Sequence, residues 1–374
     1  MTPTAPSKPN PKILLVRFRR VGDIILTTPA LALLRKRFPQ ARLTYLVEEP
    51  YRRLVESHPD IDRVLVVPPK QPRRDFLALL GDIRREKFDV VLDLHGGPRA
   101  SWITLRSGAG FKVGHGIRHK SFLYDRTVPR TGTDGPLHSV ETHAGLVQAL
   151  GVEFRKEDIP PVLLPPGKPE DVRRAEDVAS TAKADGAGLV VLHIGAGNEF
   201  RDWGLQNITA LAKMLAARGG VKIALVGGTD DQARERAIMD LLADAPKAKK
   251  ALLPLAGTLN LIALRELIAR AALFVGPDSG PMHVASSTST PIVAYFGPTL
   301  PAHFGPWRPG LDPARTVILQ KSLDCRPCRQ RECVTSDFRC LRAILPEDVF
   351  SAGSPFLNKY GDTSLNCPQK WTIK

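Results

Sequence analysis

A glycine-bearing turn between a predicted strand and a predicted helix is the part of the sequence best suited to hold an anion. It reads Phe-Val-Gly-Pro-Asp-Ser-Gly-Pro-Met-His-Val-Ala over residues 274–285. Gly276 and Gly280 allow a tight backbone turn, Ser279 is a residue type that caps helices, and Pro281 suits the first helical turn. Free N–H groups and the helix dipole favour an anion there by about 0.3–1 kcal/mol. The turn predicts a phosphate site, with an ordinary strand-to-helix connection as the alternative.

Acidic and cationic side chains in the loops add candidates for acid–base chemistry and for charge recognition. Asp23 follows Gly22 in the loop after the first predicted strand. A carboxylate there could act as a general base, but an aspartate in a loop is also a common helix cap. Arg201 could bind a diphosphate through its planar set of donors, or be an ordinary exposed arginine. Asp278 and His283, within the glycine-bearing turn, are open to similar readings.

Four cysteines near the C-terminal end have the spacing C-x2-C-x4-C-x6-C. They are Cys325, Cys328, Cys333 and Cys340, with Cys367 alone in the tail. In a cytosolic protein, clustered thiols favour a metal site over disulfides. The spacing differs from the two-plus-two arrangement of zinc ribbons. A structural metal site and free or oxidisable thiols therefore both stay open, and either way we expect a structural role.

Predicted strands and helices alternate along both halves of the chain. In the first half, strands are predicted at 12–16, 43–47, 64–67 and 90–94, and helical segments at 24–38, 51–57 and 76–86. In the second half, strands are predicted at 189–193, 221–226, 273–275 and 292–295, and helices at 208–217, 232–242 and 260–271. This alternation predicts doubly wound α/β domains with parallel sheets. Residues 159–169 hold five prolines and are the best linker candidate, which predicts domains at 1–165 and 166–350 and an irregular tail at 351–374.

Glycine-bearing loops follow the predicted strands of the second half. They are Gly195-Ala-Gly197, Gly227-Gly-Thr229, Gly276 to Gly280 and Gly297-Pro-Thr299. Ligands of open α/β sheets bind at the carboxyl ends of the strands, so we expect these loops to line one edge. The first strand is not followed by a G-x-G-x-x-G pattern, and the chain has no Walker loop. Both absences argue against a dinucleotide-dependent dehydrogenase and a P-loop enzyme.

The charge of the chain indicates anionic partners. The 374 residues carry a net charge of +15, and residues 1–165 hold 27 Lys and Arg against 17 Asp and Glu, a net +10. Such a field attracts nucleic acid, an anionic membrane or an acidic substrate, although basic runs are often solvated surface. With 6% aromatic residues and no stacking motif, nucleic-acid binding is not expected. No apolar run is long enough to span a membrane and residues 1–10 lack a signal-peptide core, so we expect a cytoplasmic location.

Five ordered motifs together resemble the ADP-heptose:lipopolysaccharide heptosyltransferase family. They are Val-Gly-Asp-Ile-Ile-Leu-Thr-Thr-Pro-Ala-Leu at 21–31, Leu-Val-Glu-Glu-Pro at 46–50, His-Ile-Gly-Ala-Gly at 193–197 with Arg-Asp-Trp at 201–203, Gly-Pro-Asp-Ser-Gly-Pro-Met-His at 276–283, and Tyr-Phe-Gly-Pro-Thr at 295–299. The resemblance runs from about Lys12 to Val349. It implies a GT-B fold, in which two Rossmann-like domains face each other across a cleft. The N-terminal domain would take the acceptor and the C-terminal domain the nucleotide sugar.

The resemblance also implies roles for individual residues. Asp23 would be the general base that deprotonates an acceptor hydroxyl in an inverting transfer of heptose from ADP-heptose. The amides of Ser279 and Gly280 would hold the diphosphate, together with Arg201, which stands where the family usually has a lysine. Asp278 and His283 would lie near the donor, and the supporting loops would contain Gly22, Gly195 and Gly197. Since no convincing DxD loop is present, we expect no catalytic metal and no cofactor.

The acceptor implied by the resemblance is an acidic glycolipid of the lipopolysaccharide core, reached by peripheral contact with the anionic inner face of the cytoplasmic membrane. Arg19 and Arg20 occupy positions where characterised relatives often have small residues, which leaves the identity of the acceptor open. Two alternatives remain. One is another GT-B enzyme acting on a sugar nucleotide, with a different donor or as an epimerase. The other is a non-catalytic basic protein that binds nucleic acid or anionic lipid.

Overall fold

The computed structural model of the chain describes residues 8–116, 120–129 and 136–360. Contacts divide the chain into two compact units. The first unit is Met1–Pro166 with Pro301–Leu311, and the second is Gly167–Leu300 with Asp312–Lys374. The sequence places a domain boundary at residues 165 and 166, but it contains no signal that the segment 301–311 returns to the first unit.

The first unit is built on a six-stranded parallel sheet. Its strands are β1 (Lys12–Val16), β2 (Arg42–Glu48), β3 (Arg63–Val67), β4 (Val90–Asp93), β5 (Phe111–His115) and β6 (Arg126–Val128). The strand order is β3-β2-β1-β4-β5-β6, and Ile13 of β1 pairs with Leu43 on one side and Val90 on the other. The order reverses between β1 and β4, which is where open α/β sheets bind ligands.

The helices of the first unit differ from the prediction near its first loop. They are α1 (Val21–Ile25), α2 (Thr28–Arg37), α3 (Arg73–Arg85), α4 (Pro98–Arg106) and α5 (Ser139–Gln148). The single helix predicted at 24–38 is broken into α1 and α2. Pro29 has no N–H to donate to the carbonyl of Ile25, and the hydroxyls of Thr27 and Thr28 donate instead to the carbonyls of Ile24 and Ile25 at 2.7 and 2.8 Å. Asp23 therefore lies in a helical turn rather than in a loop.

The segment Pro301–Leu311 is held in the first unit by hydrogen bonds and one ring contact. The His303 ring bonds to the carbonyl of Leu137 at 3.0 Å, and the Trp307 indole donates to the carbonyl of Pro160 at 3.0 Å. Trp307 also stacks on His138, with ring centroids 4.9 Å apart. These contacts link parts of the chain more than 140 residues apart, so local sequence patterns do not predict them.

The second unit has the same architecture. Its parallel sheet has the order β12-β11-β10-β7-β8-β9, with strands β7 (Gly188–His193), β8 (Val221–Val226), β9 (Leu252–Pro254), β10 (Leu273–Pro277), β11 (Ile292–Phe296) and β12 (Thr316–Gln320). The remaining helices are α6 (Pro169–Ala184), α7 (Leu205–Arg218), α8 (Gln232–Leu241), α9 (Pro246–Ala251), α10 (Leu261–Ala269), α11 (Gly280–Ser286), α12 (Pro301–Phe304, in the first unit), α13 (Arg339–Arg342) and α14 (Pro346–Gly353). The predicted doubly wound α/β class is confirmed. The four glycine-bearing loops follow β7, β8, β10 and β11, which are neighbours in the sheet, so they lie at one edge as predicted.

The tail is not irregular from residue 351, as the sequence suggests. The chain stays helical to Gly353 and then forms a 3-10 turn at Ser354–Leu357. Leu357 is fully buried in the second core, and the Arg218 guanidinium donates to the carbonyls of Leu357 and Tyr360 at 2.7 Å. Apolar burial and these bonds order the segment. Residues 361–374, with Cys367, lie outside the described residues.

Candidate functional site

A polar pocket lies at the carboxyl end of the first sheet. Its volume is about 280 Å³. Arg17 follows β1, His95 follows β4 and His115 ends β5, so three neighbouring strands around the point of reversal each supply a side chain. The pocket is lined by Arg17, Asp23, His95, His115, Leu137, Ser139, Thr142, His143, His303 and Phe304. This position is the one that the doubly wound topology predicts for a ligand site.

The carboxylate of Asp23 is fixed on the wall of this pocket. Its Oδ2 atom lies 2.6 Å from Nη2 of Arg17 and accepts the backbone N–H of Arg20 at 3.2 Å. Arg17 is itself anchored, because Nη1 donates to the carbonyl of Leu94 at 2.7 Å. The side chain of Asp23 keeps 38% of its surface exposed. Asp23 thus makes the contact at the helix start that the sequence left as an alternative. Its carboxylate is also exposed enough for a ligand hydroxyl to reach it.

Four histidines of the pocket are not among the residues that the sequence singled out. They are His95, His115, His143 and His303. The rings of His115 and His143 lie 5.9 Å apart, and both side chains are buried. Imidazole rings can donate to or accept from sugar hydroxyls and anionic groups near neutral pH. Only His95 could have been found from the sequence, because it directly follows a predicted strand. His115 and His143 lie in β5 and α5, which were not predicted.

A buried carboxylate orients the loop that contains His95. Asp93 is completely buried and accepts the Tyr124 hydroxyl at 2.6 Å. It also accepts the backbone N–H groups of His95 and Gly96 at 3.0 and 2.7 Å. Burial raises the pKa of the Asp93 carboxyl. With three hydrogen-bond donors on its carboxylate, Asp93 acts as a positioning residue beneath the pocket rather than as a ligand group.

In the second unit, the structure brings Arg201 and the glycine-bearing turn together. Nη1 of Arg201 lies 3.3 Å from Oδ2 of Asp278 and donates to the carbonyl of Asp278 at 3.2 Å. Nε of Arg201 donates to Gln330 at 3.1 Å. The hydroxyl of Thr299, in the next glycine-bearing loop, donates to Asp278 at 2.5 Å. Asp278 is buried by these partners, and a guanidinium that is 28% exposed is held beside the turn.

Ser279 occupies the N-cap position of the following helix, as predicted, but its side chain does not cap that helix. α11 begins at Gly280, and the Ser279 hydroxyl makes no capping bond. It bonds instead to Nδ1 of His193, at the end of the neighbouring strand β7, at 3.1 Å. Burial, and the charge of Arg234, lower the pKa of His193 to about 4, so its ring is neutral at pH 7 and can accept this hydroxyl. His283 is buried within α11.

Two glycines of the predicted supporting loop have steric and backbone reasons to be glycine. A Cβ atom on Gly195 would lie 2.2 Å from a carboxylate oxygen of Asp231, which accepts the backbone N–H of Gly228 at 2.8 Å. Gly197 has a φ of +70°, which side chains other than glycine rarely adopt. The loops after β7 and β8 are therefore packed against each other. Gly22, the third predicted glycine, lies in α1 next to Asp23.

The four clustered cysteines are free thiols that line one small cavity with Arg326. Among the described residues, no group of three or more His, Cys, Asp or Glu side chains is arranged to hold a metal ion. Hydrogen bonds, first that from the Thr335 hydroxyl, lower the pKa of the Cys333 thiol. Burial raises the pKa of the Cys340 thiol. The cluster thus contains thiols of different acidity.

Comparison with known proteins identifies similar sequences and folds. The family model for glycosyltransferase family 9 (heptosyltransferase) matches residues 76–338. Lipopolysaccharide heptosyltransferase 3 of Escherichia coli is 26% identical over 296 residues, which cover 76% of this chain and 83% of that protein.

Two solved structures show the same fold. ADP-heptose lps heptosyltransferase II of E. coli matches with a TM-score of 0.74 at 20% identity, covering 92% of this chain and 98% of that one. The E. coli heptosyltransferase WaaC with ADP matches with a TM-score of 0.66 at 18% identity, covering 92% and 99%. The predicted GT-B fold is thereby confirmed.

Proposed function

The chain belongs to glycosyltransferase family 9 (heptosyltransferase), and from this we propose that it transfers heptose from ADP-heptose to a hydroxyl of a lipopolysaccharide core acceptor. The observation that carries the proposal is the carboxylate of Asp23, fixed by Arg17 on the wall of a pocket at the ligand-binding edge of the first sheet. The relatives support the donor and the acceptor class, since the E. coli proteins are named for lipopolysaccharide and for ADP-heptose.

On the acceptor side, Asp23 is the general base. As the acceptor oxygen attacks the anomeric carbon, its proton passes to the Asp23 carboxylate and a new C–O bond forms. The bond between that carbon and the diphosphate oxygen breaks, and ADP leaves with the electron pair. Attack opposite to the leaving group inverts the anomeric carbon. Arg17 keeps the carboxylate in position, and the histidines of the pocket bind hydroxyl and acidic groups of the acceptor.

On the donor side, the second unit neutralises the departing diphosphate. The backbone amides of Ser279 and Gly280 and the guanidinium of Arg201 are the proposed donors. Asp278 holds Arg201 at the turn, and His283 lies in the helix that follows. A preorganised cation is most effective where charge grows in the transition state. We propose that Arg201 does here what a divalent cation does in other glycosyltransferases, so that the reaction needs neither metal nor cofactor.

We place the enzyme in the cytoplasm, at the inner face of the cytoplasmic membrane, in peripheral contact with anionic lipid. The basic charge of residues 1–165, a net +10, supports attraction to such a surface and to an acidic glycolipid. In the described part of the chain, none of the helices combines the length and hydrophobicity needed to cross a bilayer.

The test is a transfer assay with purified protein, labelled ADP-heptose and lipopolysaccharide core truncated at successive sugars. We expect label to enter one truncated acceptor and ADP to be released in equal amount. Label transferred from another nucleotide sugar, but not from ADP-heptose, would contradict the donor assignment. Conversion of ADP-heptose to an isomer without any acceptor would point to an epimerase.

A further inference from the structure

Two neighbouring helices of the first unit expose a groove that the proposed reaction does not use. The groove has a volume of about 500 Å³ and is formed by α3 and α4. Leu77 of α3 is 66% exposed, and Trp102 and Leu105 of α4 are 51% and 41% exposed. We call this surface the α3–α4 face; its groove is lined by Phe76, Leu77, Leu80, Gly81, Arg84, Trp102 and Arg106. Clustered exposed apolar side chains of this size indicate a binding surface.

The apolar residues of the α3–α4 face are surrounded by basic side chains. α3 and α4 together carry six arginines and two aspartates. Arg73, Arg74, Arg84 and Arg106 are exposed, and among the described residues none of these four forms an ion pair with a carboxylate. The guanidinium of Arg106 lies over the Trp102 ring at 5.6 Å from its centroid. The face is therefore apolar in its groove and positive around it.

Other parts of these helices already supply the core contacts. Ile83 of α3 and Ile103 of α4 are fully buried against the sheet, so Leu77 and Trp102 are additional to what the fold requires. An exposed tryptophan, leucines and arginines are the residue types of an interfacial membrane contact, where the apolar side chains enter the headgroup region. A second copy of the chain on this face would bring the arginines against each other, which disfavours self-association.

We propose that the α3–α4 face docks the first unit on an anionic phospholipid surface. Leu77 and Trp102 enter the interface between headgroups and acyl chains, and the surrounding arginines bind lipid phosphates. The inference rests on the proposed function in one respect, because a lipid-borne acceptor gives the enzyme a reason to reach a membrane. Docking itself needs no sugar transfer, so an experiment can contradict membrane docking without contradicting the proposed transfer, and the reverse.

The experiment measures flotation of the purified full chain with vesicles of phosphatidylcholine, alone or mixed with phosphatidylglycerol. We expect binding to the mixed vesicles, with at least about a tenfold loss in the double variant Leu77→Ser/Trp102→Ser and in Arg84→Gln/Arg106→Gln. Matched controls in the second unit are Leu241→Ser, at a side chain 56% exposed, and Lys213→Gln, at an exposed lysine of α7. Equal binding by the parent, the variants and the controls would overturn the proposal.

Two further measurements keep the result decisive. Trp102→Phe retains an apolar ring and should still bind, but the blue shift of tryptophan emission on vesicle addition should disappear. This conservative variant still tests the proposal if the double variant Leu77→Ser/Trp102→Ser does not fold. Transfer to an acceptor dispersed in detergent should be unchanged in the face variants, while transfer to an acceptor in vesicles should fall. A concentration-dependent dimer that the face variants abolish would instead identify the surface as an interface between copies and overturn membrane docking.

Discussion

Arg17 holds the carboxylate of Asp23 at 2.6 Å while its other terminal nitrogen is bound to the carbonyl of Leu94. The same carboxylate oxygen accepts the backbone N–H of Arg20 at the start of α1. Asp23 therefore has a structural contact and a position suited to catalysis at once. A substitution that keeps the structural contact but cannot accept a proton separates the two roles.

Asp23→Asn is that substitution. An amide oxygen can still accept the Arg20 N–H, so the melting temperature should change little, but the amide cannot take up the acceptor proton. We expect kcat to fall by about 10²–10⁴-fold, as is typical when a general base is lost. The matched control is Asp240→Asn, at an exposed position of α8. Full activity of Asp23→Asn, whatever its melting temperature, would leave Asp23 with the structural contact alone.

Arg201→Ala should weaken ADP binding by roughly 10–100-fold, because a hydrogen bond to a charged group contributes about 1.5–3 kcal/mol. Arg201→Lys should retain part of the affinity, since it keeps the charge and loses the fork of donors. Calorimetric titration with ADP measures both, with Arg236→Ala, at an exposed arginine of α8, as the control. Thermal stabilisation by ADP should also exceed that by UDP, GDP or CDP. Equal shifts from all four nucleotides would remove the adenine preference.

Chelation tests whether a metal is needed. Transfer by protein treated with excess EDTA should proceed at the untreated rate if, as proposed, Arg201 and the backbone amides neutralise the departing diphosphate. Loss of the rate, with recovery on adding magnesium or manganese, would show that a divalent cation takes part.

His193 should make the stability of the protein depend on pH. Its pKa is lowered from 6.5 to about 4 by burial and by Arg234, so the unfolded chain takes up a proton that the folded chain excludes. Stability is then lost as the pH falls from 6.5 towards 4, by at most about 3 kcal/mol. His193→Gln keeps an acceptor for Ser279 and should lose less stability over this interval. Denaturant midpoints across the pH series measure the difference; parallel curves for the parent and variant would contradict the assignment.

The cysteines should differ in reactivity. Cys333 has a lowered pKa and Cys340 a raised one, and the thiolate is the nucleophile. Iodoacetamide should therefore modify Cys333 at a lower pH than Cys340, as followed by mass spectrometry of the peptides. If all four cysteines resist iodoacetamide and become reactive after a chelator is added, the cluster instead holds a metal.

The sequence predicts best where local patterns decide the structure. β1 and β8 were predicted at the residues where they occur, because all residues of each strand except one lysine are apolar and buried. α6 was missed, since its buried residues include the small Ala175 and Ala182, which leave a weak periodic signal. Motifs led to Asp23, Arg201 and the turn at 276–280.

The histidine lining of the pocket was not predicted, for a physical reason. His115 and His143 meet through β5 and α5, which are packed together by tertiary contacts rather than by a pattern that one segment shows alone. His303 lies 166 residues beyond Leu137 in sequence, and its place depends on a hydrogen bond to the carbonyl of Leu137. The bonding of Ser279 to His193 likewise depends on β7 and β10 being neighbours in the sheet.

The return of Pro301–Leu311 to the first unit has a consequence for exchange between relatives. A chimera joined at residue 166 would take Asp23, Arg17, His115 and His143 from one parent and His303 and Phe304 from the other. The pocket that we propose for the acceptor would then combine residues of both parents, although the junction lies between the two sheets. If the pocket binds the acceptor as proposed, transferring acceptor preference between members of the family requires residues 1–166 and residues 301–311 to be exchanged together.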